Sequence, residues 1–237
     1  MKGFDALCGL GDIYEFRSKK VHARILVLIA VLALAALACS SISGIGGKKT
    51  DSGGDILFQD DFSDPNSGWG RQNAENGITD YADGGYRIYV NVENWYFWSN
   101  PGKEYGDVII DVDAKKLGGP DDNDFGVICR YKDEENFYYI LISSDGYYGA
   151  AKYSNGEEAL VGMEEFGYND RLINPGAATN HLKASCVGSS ISLEVNGTEL
   201  FTVHDTDIAS GDVGLIAGTY DTVGTDILFD NFVVRKP

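Results

Sequence analysis

Basic residues are scarce in this chain of 237 residues: 19 Lys and Arg stand against 36 Asp and Glu, a formal net charge of −17. The deficit deepens beyond residue 38. The first 38 residues hold five basic residues (Lys2, Arg17, Lys19, Lys20, Arg24) and three acids (Asp5, Asp12, Glu15), so 14 basic and 33 acidic residues remain, a net of −19. A surface this acidic repels phosphate backbones and argues against nucleic acid as a partner. It suits cations, neutral ligands such as sugars, or plain solubility outside the cell. Histidine is rarer still, at three. His22 precedes an apolar run, which leaves His181 and His204, and no His, Cys and carboxylate cluster has the spacing of zinc ligands. No serine stands in a nucleophile-elbow motif. No internal repeat and no convincing helical period are visible beyond the N-terminal run.

Glycine and aromatics are plentiful: 30 Gly, 14 Tyr and 11 Phe. Many turns and many rings point to an all-β domain. Its centre is Asp124 to Gly146. Phe125, Val127 and Cys129 alternate with Gly126, Ile128 and Arg130, and Phe137 to Ile142 is apolar almost without a break. Period two marks a half-buried strand; an unbroken run marks one covered on both faces. Lys132 to Asn136 turns the chain between them. Elsewhere Tyr86, Ile88 and Val90 share a face, as do Val108, Ile110, Val112 and Ala114. Leu182, Ala184 and Cys186, then Ile191, Leu193 and Val195, repeat the pattern around Asn196-Gly197, a strong hairpin signal. Roughly a dozen short strands at this spacing predict two packed antiparallel sheets.

The N-terminal segment reads differently. Arg17 to Arg24 is basic and Ile25 to Ala38 is apolar throughout. As a helix the apolar part rises about 21 Å, short of a ~30 Å hydrocarbon core. This fits a secretory signal better than a membrane span. Residues 1–38 are therefore expected to be a signal peptide, with 1–16 an extension ahead of a true start nearer Val21. Cys39 follows Ala36-Leu37-Ala38, which resembles a bacterial lipobox with Ala36 where Leu is usual. The resemblance implies lipidation of Cys39 and a membrane anchor at the extracytoplasmic face of the cell envelope. An uncleaved signal anchor is the alternative. Residues 39–54 read as a flexible tether, and 55–237 as the folded domain.

Within that domain Cys129 and Cys186 are the only cysteines, each on the apolar face of a predicted strand. In an oxidising compartment they are expected to form a disulfide.

Four segments in order carry a family resemblance: ILFQDDFSDPNSGW, FGVICRYKDEENFYYILISSDGYY, LKASCVGSSISLEVNG and ILFDNFVV. Together they resemble bacterial secreted domains of the concanavalin A-like lectin/glucanase superfamily, including laminin-G-like and 3-keto-disaccharide hydrolase-like domains, over about residues 56–235. The resemblance implies a jelly-roll β-sandwich, a fold that hosts lectins, glycosidases and inert adhesion modules. Glycosidases of this superfamily carry a Glu-x-Asp-x-x-Glu strand that sets two carboxylates for a retaining mechanism. That motif is absent, so no catalytic residue is assigned, and Glu134-Glu135, Glu157-Glu158 and Glu164-Glu165 read as solvated turns.

Two sites are expected. Asp60 and Asp61 lie on the first strand, Asp226 and Asp230 on the last, and such strands pair in sandwiches of this kind. Asp61, Asp226 and Asp230 are thus candidate oxygen ligands for a structural Ca²⁺, with Asp121, Asp122 and Asp124 a weaker set. Rings that stack on sugars form the second. Trp95, Trp98, Tyr131, Tyr139 and Tyr147 are expected as a carbohydrate platform, with Arg130 and Asp145 as polar partners; core packing is the competing role for each ring. The expected partner is a glycan or polysaccharide bound noncovalently by an anchored lipoprotein. The alternatives are a glycoside or keto-sugar hydrolase, and a structural or adhesion module with a protein partner.

Overall fold

The computed structural model describes residues 54–237. The expected signal peptide, the Cys39 anchor and nearly all of the tether lie outside the described residues. No helix occurs among the described residues.

Ile56–Asp60 (β1) opens the domain. Gln72–Ala74 (β2), Gly77–Ala82 (β3) and Gly85–Val90 (β4) form a meander. Trp95–Ser99 (β5) and Val108–Gly118 (β6) follow. Along β6, Val108, Ile110, Val112 and Ala114 are buried while their neighbours are not, because successive side chains leave a strand on opposite faces. Asn123–Asp133 (β7) and Asn136–Ile142 (β8) are the central hairpin. Tyr147–Ser154 (β9), Glu157–Leu160 (β10) and Gly167–Tyr168 (β11) come next. Thr179–Val187 (β12), Ser190–Val195 (β13) and Thr198–His204 (β14) form a second meander. Its last turn has Asn196 and Gly197 at φ 52° and 83°, as an Asn-Gly hairpin requires. Asp212–Thr219 (β15) and Thr225–Arg235 (β16) end the domain.

All pairings are antiparallel, in two sheets. One has nine strands in the order β14-β13-β12-β6-β16-β4-β3-β2, with β1 also on β16. The other has seven, β10-β9-β8-β7-β15-β5, with β11 also on β9. The expected sandwich is what forms, and the first and last strands pair, Asp60 opposite Phe232. One segment departs from expectation. Glu157 and Glu158 lie on β10 rather than in a turn.

The main core sits between the sheets. Phe125, Val127, Cys129, Tyr138 and Ile140 of one sheet meet Ile88, Ile110, Val112 and Phe229 of the other, all essentially inaccessible to solvent. Cys129 on β7 and Cys186 on β12 are joined by a disulfide that ties the sheets together across this core. Such a bond persists in an oxidising, extracytoplasmic compartment.

A second, smaller apolar cluster lies on the outer face of the seven-stranded sheet: Ile128, Phe137, Tyr139, Leu141, Ala151 and Ile216, flanked by Tyr96, Trp98, Tyr131, Tyr153 and Leu160. Both faces of β8 are indeed covered. Among the described residues the outward cover is made by rings, at centroid distances of 5.2 to 5.9 Å, and not by a third layer.

Candidate functional site

The outer face is built by period two across paired strands. Tyr96 and Trp98 point outward from β5, while Phe97 packs on the main core. Register sets Tyr96 opposite Gly218 on β15, and Gly218 opposite Asp124 on β7. Gly218 matters here for its missing side chain: a Cβ would stand 2.4 Å from the Tyr96 ring, so the ring lies directly on the backbone. Gly149 on β9 does the same for Phe166, at 2.5 Å.

Three adjoining hollows open on this face. The first, about 390 Å³, is lined by Asn94, Tyr96, Ala151, Glu158, Leu160, Phe166 and Tyr220 among others. The second, about 470 Å³, shares Asn94, Tyr96 and Glu158 with it and adds Trp95, Trp98, Tyr153, Glu134 and Glu135. The third, about 310 Å³, shares Phe166 and Tyr220 and adds Asp122, Asp124, Ser143, Tyr147 and Glu165. Together they form a groove with small residues beneath and rings around it.

Two carboxylates anchor the rings. Tyr96 donates to Asp124 Oδ2 at 2.7 Å and Tyr220 to the same oxygen at 2.6 Å. Tyr139 donates to Glu158 Oε1. Asp124 is 4% exposed. Burial pushes its carboxyl up to about 7; Asp122 and Asp145 add to the rise, and the two tyrosine hydrogen bonds oppose it. Burial also raises Tyr96, Tyr220 and Tyr139 far above the usual phenol range, and the charge of Asp124 or Glu158 beside each raises it further. All three hydroxyls stay protonated and donate.

The expected platform residues divide. Trp95, 55% exposed, and Trp98, half-buried, line the second hollow. Tyr139 is buried in the cluster, and its hydroxyl reaches Glu158. Tyr147 stands exposed at the third hollow, edge-on to Tyr168 at 5.1 Å. Tyr131 packs on Phe137 at 5.4 Å but lines a separate hollow with Lys103, Lys132 and Asp212. Asp145 accepts from Ser143 Oγ at 2.5 Å and acts on the groove only through its charge on Asp122 and Asp124.

Arg130 does not join them. Its backbone has φ 55°, at a break in the register of β7, and this bulge removes it from the alternation that would have aimed it outward. The buried guanidinium instead donates to the carbonyls of Ile208 and Gly188 and to Asp107.

The acids proposed for calcium do not gather. Asp226 is held by both arms of Arg87 at 2.7 Å, Asp230 accepts from the Asn231 amide, and exposed Asp61 accepts from Ser63. Asp121 pairs with Lys116. Among the described residues no group of three or more His, Cys, Asp or Glu side chains is placed to hold a metal ion.

Sequence reasoning passed over Tyr96, Tyr153, Glu158, Phe166 and Tyr220. Period two from Trp98 would have selected Tyr96. Nothing local marks Glu158 or Tyr220, which come to the groove only through strand order.

No protein-family model and no curated protein matches the sequence. Solved structures do match. A carbohydrate binding module, CBM66, from Bacillus subtilis aligns with a TM-score of 0.57 and 17% identity over 72% of this chain and 96% of its own. A Bacillus subtilis protein of unknown function with a galectin-like fold gives 0.57 and 11% over 77% and 96%. A beta-glucanase of Bacillus licheniformis gives 0.55 and 13% over 76% and 98%. At these identities the likeness is one of fold: the sandwich is concanavalin A-like, an architecture shared by carbohydrate-binding modules and glycoside hydrolases.

Proposed function

We propose that the domain binds carbohydrate noncovalently in the groove on the outer face of the seven-stranded sheet. The observation that carries this reading is the second ring cluster. It is a face of aromatic side chains that no third layer closes among the described residues and that opens to three adjoining hollows. Ring faces stack against the C–H faces of sugars, and carboxylates and amides at the rim accept or donate to hydroxyls; Asn94, Glu158 and Glu134 are so placed. Such pockets combine apolar walls with a few polar groups that fix orientation. We place the domain outside the cell, tethered to the membrane through a lipidated Cys39.

A glycan array with the full chain in detergent tests this. The expected result is binding to a restricted set of glycans, lost in Trp98→Ala with the fold retained by circular dichroism. Silence across the array, together with an envelope protein captured through the same face, would replace it with the adhesion reading.

Asp124 favours one second reading. A carboxyl that titrates near 7 suits a general acid, whose best pKa lies near the working pH. Release of reducing ends from an array-positive oligosaccharide, abolished in Asp124→Asn, would make the domain a hydrolase; unchanged oligosaccharide would leave it a binding module.

A further inference from the structure

We infer that the groove prefers saccharides bearing a protonated amine, such as a deacetylated hexosamine unit, over neutral and anionic ones. This rests on the carbohydrate reading above and adds the charge of the ligand.

Six acids line the three hollows: Asp122, Asp124, Glu134, Glu135, Glu158 and Glu165. Among the described residues no Lys, Arg or His lines any of them. Ion pairs of the described residues lie outside the hollows, on acids such as Asp80, Asp107, Asp121, Asp205 and Asp226. Two cations on the strands beneath the groove are committed away from it. Arg130 goes to Asp107 and two carbonyls, and Lys152 to Asp205 and Asp207, both at 2.5 Å. Tyrosine hydroxyls hold Asp124 and Glu158, and burial favours the protonated form of Asp124, but no cation among the described residues neutralises the groove, which is thus negative.

Rings and acids occupy the same hollow. Trp95, Trp98 and Tyr153 stand with Glu134, Glu135 and Glu158. Aromatic faces attract a cation, most strongly where water is excluded. A sugar lying on these rings through its C–H face would bring an equatorial ammonium to the carboxylates at the edge. A neutral sugar gains the stacking and the hydrogen bonds at the rim but no charge pairing, and a uronic acid meets like charge, which penalises the wrong partner. The acidity of the whole chain does not account for this arrangement, because solubility requires no acids beside apolar rings in a hollow.

The test compares three hexasaccharides on the full chain in detergent by isothermal titration calorimetry: fully deacetylated chitohexaose, its N-acetylated form and hexagalacturonate. The acetylated and deacetylated probes share backbone and linkage. The expected result at low salt is at least about tenfold tighter binding of the deacetylated form, roughly 1.4 kcal/mol. The preference should shrink in high salt, where charge is screened. The triple variant E134Q/E135Q/E158Q should lose the preference, weakening binding of the deacetylated form far more than that of the acetylated form. Equal affinity for the two chitohexaoses, or a preference unchanged in the variant, overturns the inference and leaves the carbohydrate reading standing. Tighter binding of hexagalacturonate overturns it likewise. If none of the three binds, the inference falls, and the glycan array decides separately whether the carbohydrate reading falls too.

Discussion

Two ring clusters of similar composition lie on either side of the seven-stranded sheet, and they have different fates. Between the sheets, Trp69 packs edge-on to Phe232 at 5.0 Å and tilts against Tyr86 at 5.4 Å. Their polar ends are closed off. Trp69 Nε1 donates to Asp60 at 2.9 Å, and the Tyr86 hydroxyl to the Gly70 carbonyl. On the outer face, Trp98, Tyr131 and Tyr153 are only half covered, and the hydroxyls of Tyr96, Tyr139 and Tyr220 end on carboxylates that line hollows. The residue types are the same; what lies opposite differs. A second sheet excludes water from one cluster, while among the described residues the other has its own rings and a segment containing Leu160 and Phe166. The inner cluster is sealed between the sheets, and the outer one leaves part of its apolar area open to solvent.

The sharpest way to break this comparison is to truncate one ring on each side. Trp69→Ala removes a fully enclosed ring and should cost up to about 5 kcal/mol of stability, read from denaturant midpoints. Trp98→Ala should cost clearly less and show its main effect on glycan affinity. Equal losses of stability would mean that the outer cluster is simply more core. The next effect down belongs to the disulfide, which crosses only the inner side. Replacing Cys129 and Cys186 together by Ala should cost about 4 kcal/mol in the chain-entropy model for this loop, with little change in affinity for an array-positive glycan.

A smaller effect separates the faces by pH. Asp124 has a folded pKa raised to about 7 from an ordinary value near 3.8. The folded state therefore binds the extra proton, and stability is greatest below the ordinary value and is lost as pH rises from about 4 to about 7. Thermal melts at pH 5 and pH 8 should show a lower Tm at pH 8, with the difference reduced in Asp124→Asn. A difference unchanged by that substitution would assign the slope to other groups.

Much of the fold is legible residue by residue. The alternation in Val108 to Ala114 and in Leu182 to Cys186 depends only on the two-residue repeat of a strand, and burial follows it position by position. Asn196-Gly197 turns the chain because both residues tolerate positive φ, again a local property. The candidate site was legible in part. Trp95 and Trp98 stand in the densest aromatic run, and both reach the groove. Arg130 was misplaced because a bulge gives β7 one residue more than β15 between Ile128 and Tyr131 and so shifts the alternation, and no residue type announces it. The calcium acids were grouped by strand pairing alone, whereas Arg87 claims Asp226 from a neighbouring strand.

The sequence by itself determined that the domain is an antiparallel sandwich with more rings than one core would need, because periodicity, turn chemistry and composition act over a few residues. Which rings face water was decided only by the tertiary structure. Tyr96, Asp124 and Gly218 come from distant parts of the chain, and the order β5, β15, β7 sets them in one row. That order follows from how the whole apolar surface packs, so the groove belongs to the assembled sheet and to none of its segments.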